Sequence, residues 1–151
     1  MKLTDQVRIN ASMDRVFDFV TDPQKQRLWM DGLVDTEYTG QKDGPGLVGS
    51  TFKQHLIKGH QRIAYVFQGE VVIFERPRQY AVTLSSADFD ATIGYRLEGS
   101  PKETLLTRTT EMEIHGGLVA RFLGKMAAHH GKQDLKKLVL LLESEGDGLG
   151  T

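Results

Sequence analysis

The sequence predicts an α+β fold: a strongly curved antiparallel sheet of about seven strands wrapped around one long C-terminal helix, with two short helices after the first strand. Three observations carry this. Residues Leu33 to Ile114 read almost continuously as strands, separated by turn residues at about ten-residue spacing. Two short helical patterns with good N-caps stand directly after the first strand. Leu118 to about Glu145 is a single long helical pattern.

The elements follow in order. Leu3, Val7 and Ile9 alternate with Thr4, Asp5, Gln6 and Arg8, the pattern of a half-buried strand. Ser12 is a suitable N-cap for a helix with Val16, Phe17 and Val20 on one face, although Arg15 stands where a full capping box would need Glu. Asp22-Pro23 restarts the chain as an N-cap followed by proline in the first turn, and this second helix carries Leu28, Trp29 and Met30 before Gly32 stops it. Strands are expected at 33–39, 49–57, 61–74, 79–86, 89–98 and 103–114, with Gly69 as a bulge or bend inside the third of these. Gly116-Gly117 ends the sheet. Residues 1–145 are expected to form one domain, and 146–151 a flexible tail with little that can pack.

The 151 residues suit one domain with a full core and room for an internal pocket. Nineteen Lys and Arg against twenty Asp and Glu give a net charge of −1, interleaved along the chain, so no basic field for nucleic acid is visible. No apolar run reaches the roughly 18 residues of a membrane span and no signal-peptide core is present, so a cytoplasmic protein is expected. The chain has no cysteine, which removes disulfides, thiolate nucleophiles and Cys-based metal sites. Neither a cofactor nor a metal is called for.

Most motifs that carry chemistry elsewhere fail here on context. Gly44-Pro45-Gly46-Leu47-Val48-Gly49 satisfies G-x-G-x-x-G, but a strand follows it where a dinucleotide site needs a helix N-terminus. A glycine-rich hairpin loop is the expectation. Of the five histidines, none pairs at the spacing that puts two imidazoles on one helix face, and His129 and His130 point about 100° apart. No serine sits in a G-x-S-x-G elbow.

The informative anomaly is in the last strand. Thr104, Leu106, Arg108, Thr110, Met112 and Ile114 form its inward register, and Thr107, Thr109, Glu111 and Glu113 its outward one. Arg108 and Thr110 therefore interrupt an apolar face. A guanidinium there is either held in a structural ion pair or is an anchor for a ligand's carboxylate, phenolate or carbonyl oxygen. The neighbouring strand offers Phe89, Ile93 and Tyr95 in one register, and Tyr95 with Tyr80 can place hydroxyls in an apolar chamber. On the long helix, Gly124, Ala127, Ala128, Gly131, Leu135, Leu138 and Leu142 share one arc, whose small residues would leave space beneath a roof. Phe122 and Met126 lie on the opposite arc. They form an exposed patch for a partner, such as a second copy in a homodimer, unless a kink near Gly131 turns both arcs inward.

With this element order in place, the chain resembles the helix-grip fold of the START/Bet v1-like (SRPBCC) superfamily, and within it the bacterial polyketide cyclase/dehydrase branch. The resemblance rests on Val7-x-Ile9-x-Ala11-Ser12 leading to Arg15-Val16-Phe17-Asp18-Phe19-Val20, then Asp22-Pro23 and Trp29, and on the glycine turn before the third strand. It rests further on Val71 to Arg78, which is similar to the family's V-x-x-Y-E-P-P-R bend with Arg76 in place of the first proline, and on the closing Asp134-Leu135-x-x-Leu138-x-x-x-Leu142-Glu143. It implies binding or transport of a hydrophobic small molecule (lipid, polyketide or aromatic compound) between sheet and helix. The alternatives are a cyclase, aromatase or dehydrase in the same cavity, and a chaperone-like interaction protein. The residues expected to line the cavity are Arg108, Tyr95, Tyr80, Thr110, Met112, Ile93, Phe89, Gly124, Ala127, Ala128 and Gly131.

Overall fold

The computed structural model describes residues 2–40, 47–115 and 130–144. Strand β1 (Lys2–Ile9) leads into helices α1 (Met13–Thr21) and α2 (Pro23–Trp29), and then come β2 (Leu33–Gly40), β3 (Thr51–Lys58), β4 (Ile63–Glu75), β5 (Gln79–Ser85), β6 (Phe89–Gly99) and β7 (Thr104–Ile114). Helix α3 occupies residues 130–144. The expected strand boundaries hold to within two residues, and the expected start of the long helix at Leu118 lies outside the described residues. All seven described strands form one antiparallel, curved and unclosed sheet in the order β1-β7-β6-β5-β4-β3-β2.

Local chemistry sets the helix starts. Ser12 Oγ accepts from the Arg15 backbone N–H at 3.3 Å, and Asp22 Oδ1 from that of Gln24 at 2.8 Å with Pro23 in the first turn. The two helices plug one end of the sheet. Phe17 packs edge-on against Phe74 and Tyr80, while Trp29 packs edge-on against Tyr95 and its Nε1 donates to the Phe19 carbonyl at 2.8 Å. Leu28, next to the buried Trp29, points to solvent. On α3, Gly131, Leu135, Leu138 and Leu142 are buried, the spacing expected of its sheet-facing arc, and Lys132, Lys136 and Lys137 are exposed. Gly124, Ala127, Ala128, Phe122, Met126 and the tail from 146 lie outside the described residues, as does the stretch upstream of Gly131 on which the kink question turns.

One expectation is corrected. Gly69 is not a bulge: it pairs regularly with Phe52 on β3 and Leu84 on β5, and the register shift lies between Val71 and Ile73. A Cβ at Gly69 would run into the Phe52 ring and come within 3.0 Å of Leu84 Cδ2. The glycine is there because a neighbouring ring needs its space, and no backbone break is involved.

Candidate functional site

The antiparallel register lines up side chains in rows across the inner face of the sheet. One row runs Phe74, Tyr80, Tyr95, Arg108, Asp5, taken in turn from β4, β5, β6, β7 and β1. The next is Val82, Ile93, Thr110, Leu3, and the one beyond it is Gly69, Leu84, Ala91, Met112. On the other side lies Leu97, Leu106, Val7. The structure thus brings Arg108, Tyr95 and Tyr80 into one line, with Thr110, Ile93, Met112 and Phe89 in successive rows beside it.

The inner face has a closed half and an open half. Leu97, Leu106, Ile9, Val16, Val20, Trp29, Leu135, Leu138 and Leu142 are all but inaccessible, and they form the packed core. Beyond the Arg108 row, Thr110, Val82, Leu84 and Ala91 are buried, but Leu3, Ile93, Met112, Phe89 and Phe67 keep part of their surface in reach of solvent. Arg108 stands on the boundary. Two depressions also occur on the sheet, one lined mainly by outward residues such as Thr83, Asp90 and Glu111 but reaching Leu84, Ala91 and Met112, and another around Gly94 that reaches Tyr80 and Tyr95. Neither contains Arg108.

Arg108 Nε and Nη1 are buried and meet no hydrogen-bond acceptor. Its guanidinium carbon lies 5.8 Å from the centre of the Tyr95 ring, and no carboxylate among the described residues forms an ion pair with it. Of the two accounts left open by the sequence, the structural ion pair therefore finds no support. Gly131 of α3 passes directly over this group: a Cβ there would lie 3.4 Å from Arg108 Nη1 and 3.8 Å from Asp5 Oδ2. A Cβ at 131 would thus sit in ordinary contact with both charged groups, which shows how closely α3 approaches them.

The tyrosines are neutral hydrogen-bonding groups. Burial pushes both hydroxyls above the ordinary phenol value, so neither is a phenolate at physiological pH. For Tyr80, its neighbours Tyr38 and Tyr95 reinforce the effect and the Gln26 amide opposes it. For Tyr95, the Arg108 charge opposes it and Asp134 reinforces it. Tyr80 sits in the closed half, stacked on Tyr95 at 6.3 Å and edge-on to Phe17 and Phe74. Tyr95 is the one that meets Arg108.

Asp5 was not among the expected site residues. It is half-buried, directly across the β1–β7 pairing from Arg108. Its signal was in the alternation Leu3, Asp5, Val7, Ile9, where an acid takes an inward position just as Arg108 does on β7. Its polarity, shared with the separators Thr4, Gln6 and Arg8, conceals that inward position in the sequence. Among the described residues, His55 lies by Asp35 and Glu37 at 3.9 and 3.6 Å, His115 by Asp90 at 3.0 Å, and His130 by Asp31 at 3.6 Å; His129 lies outside the described residues. No cluster of potential metal ligands occurs among the described residues. None of the described helices is long and apolar enough to cross a membrane.

A family model described as polyketide cyclase / dehydrase and lipid transport matches residues 1–144. No protein of curated function matches the chain. Among solved structures, it is similar to a conserved protein from Geobacillus kaustophilus, at TM-score 0.77 and 18% identity over 97% of both chains. It is also similar to the ZhuI aromatase/cyclase from Streptomyces sp. R1128, at TM-score 0.78 and 11% identity over 95% of this chain and 93% of that one. A START superfamily protein from Mycobacterium smegmatis superposes at TM-score 0.72 with 17% identity over 98% of both. At these identities the likeness establishes the helix-grip fold.

Proposed function

We propose that this chain, which belongs to the polyketide cyclase / dehydrase and lipid transport family, binds an apolar small molecule bearing a carboxylate or carbonyl group. The oxygens meet Arg108, and the apolar body lies along Leu3, Ile93, Met112 and Phe89 on the open half of the sheet. One observation carries this reading: Arg108 Nε and Nη1 are buried without an acceptor. A buried donor left unsatisfied costs on the order of 1–3 kcal/mol, and more when it is charged. An oxygen arriving from a ligand removes that cost, so the empty site already favours such a group. Arg suits the role because its planar fork of donors fits a carboxylate.

The direct test is a matched pair of ligands titrated against the purified protein by calorimetry. Dodecanoate is expected to bind at least about tenfold more tightly than dodecan-1-ol, since a hydrogen bond to a charged group is worth roughly 1.5–3 kcal/mol. Equal affinities would remove Arg108 from the binding site. Native mass spectrometry of the freshly purified protein gives a second readout, a retained ligand of acidic or carbonyl chemistry.

Asp5 favours a second reading, catalysis of the cyclase or dehydrase type. With a ligand carbonyl on Arg108, an adjacent C–H proton is within the reach of a base on the same row. The Asp5 carboxylate takes that proton while the guanidinium stabilises the enolate oxygen. Asp5→Asn separates the two readings. A carrier keeps its affinity for an acidic ligand, or gains some because a nearby negative charge is lost, whereas an enzyme loses turnover of a β-dicarbonyl substrate by roughly 100-fold or more at unchanged binding. Turnover that survives in the Asn variant would sink the catalytic reading.

A further inference from the structure

The hairpin of β3 and β4 differs in charge from the rest of the chain. Between Thr51 and Gly69 there are Lys53, His55, Lys58, His60 and Arg62 and no acidic residue, in a protein with twenty acids. Its tip turns at Gly59 to Arg62, with the Arg62 N–H donating to the Gly59 carbonyl at 3.1 Å and Arg62 at φ 52°. His60, Gln61 and Arg62 are exposed. The strand that leaves the tip is bare on both faces: Ile63, Tyr65 and Val66 expose 47%, 38% and 50% of their surface, and Ala64 between them is exposed too. Single exposed apolar residues are ordinary, but four in succession at the end of a hairpin leave a whole tip uncovered. Asp35 and Glu37 of β2 stand beside His55 at the base of this finger, and among the described residues no carboxylate pairs with His60 or Arg62 at its tip.

The finger is also continuous with the site. Tyr65 and Phe67 lie 6.4 Å apart on the inner face, and Phe67 meets Phe89 at 5.1 Å. An aromatic track therefore runs from the exposed tip into the open half of the sheet.

We infer that the β3–β4 finger seats on an anionic lipid bilayer surface, with Ile63, Tyr65 and Val66 in the interfacial layer and Arg62 and His60 at the headgroups. Apolar side chains beside basic ones are the composition that such a surface selects. Tyr65, with a polar end and an apolar ring, suits the boundary between headgroup and acyl chain. This orientation puts the near end of the Tyr65–Phe67–Phe89 track against the lipid, so that an acidic apolar ligand passes between bilayer and site without crossing open water. That last consequence rests on the ligand-binding reading above, whereas the seating itself rests on the finger alone.

Co-flotation of the full chain with vesicles tests it. Vesicles containing phosphatidylglycerol should carry the protein up, vesicles of phosphatidylcholine alone should carry markedly less, and raised salt should weaken the binding. Arg62→Glu should lower the affinity by at least about fivefold, the weight of one basic side chain near such a surface, and Ile63→Ser with Val66→Ser by roughly tenfold. Lys136→Glu, the same charge change on the exposed face of α3, should have little effect. Loss of the same size in Lys136→Glu would mean unspecific charge attraction and would overturn the proposal, as would no flotation of the unaltered protein. Capture by polyglutamate as strong as by the vesicles, unaffected by the Ile63/Val66 pair, would identify an acidic protein surface instead and exclude the bilayer. Dodecanoate titration of Arg62→Glu keeps the two readings apart: it should bind like the unaltered protein whether or not flotation is lost.

Discussion

Arg108→Met is expected to leave the empty protein at least as stable as before and to weaken binding of an acidic apolar ligand by roughly 1.5–3 kcal/mol. The substitution keeps most of the side-chain length and removes the charge. Nε and Nη1 lose no protein acceptor in the process, because none is present, and Asp5 across the strand pair makes no ion pair that would be broken. What is lost is the contact with the Tyr95 ring at 5.8 Å, worth about 0.5–2 kcal/mol, against which stands the relief of two buried donors that lack an acceptor. Chemical denaturation with and without dodecanoate measures both quantities. A fall of roughly 3–5 kcal/mol in the empty protein would be the signature of a broken buried ion pair, and the ligand-anchor reading would then fail. Unchanged stability together with unchanged affinity would place Arg108 outside the site altogether.

Gly69→Val is expected to destabilise the protein by about 1–3 kcal/mol, although valine is the better strand former. The new side chain would occupy the position of the Phe52 ring, which is buried and packs edge-on against Tyr38 at 6.2 Å. Swinging Phe52 aside would give up that contact and press on Leu84, so the collision has no inexpensive escape. Gly94→Val is the control. It stands in β6, and no atom lies within 4 Å of a Cβ there, so the same change should be neutral or stabilising. Thermal unfolding of the two variants side by side reads the difference. If Gly69→Val were no worse than Gly94→Val, the close approach of Phe52 would not be the reason for the glycine.

Much of the architecture was legible because its causes are local. The Ser12 cap and the Asp22-Pro23 restart act within one turn, and the alternation of β7 declares its inward side in its own residues. The arc of Gly131, Leu135, Leu138 and Leu142 was likewise fixed by helical period, and all four are buried. Arg108 could be singled out from the sequence because a cation in an apolar register is anomalous wherever the strand lies.

Position along the chain could not show what stands beside it. Arg108 and Asp5 are about a hundred residues apart and become neighbours only through the pairing of β1 with β7; Tyr95 joins them only through the register of β6. Whether the guanidinium was partnered depended on every acceptor that the fold brings near, and an inventory of residue types does not contain that information. Gly69 shows the same limit, since a glycine with an ordinary strand conformation looks identical in sequence to one that breaks a strand until the ring of Phe52 arrives from β3. The sequence by itself determined the elements, their faces and the anomalous charge, because these follow from propensity and period over a few residues. Tertiary structure alone decided which groups meet and which donors stay unsatisfied, because burial and hydrogen bonding are set by neighbours distant in the chain.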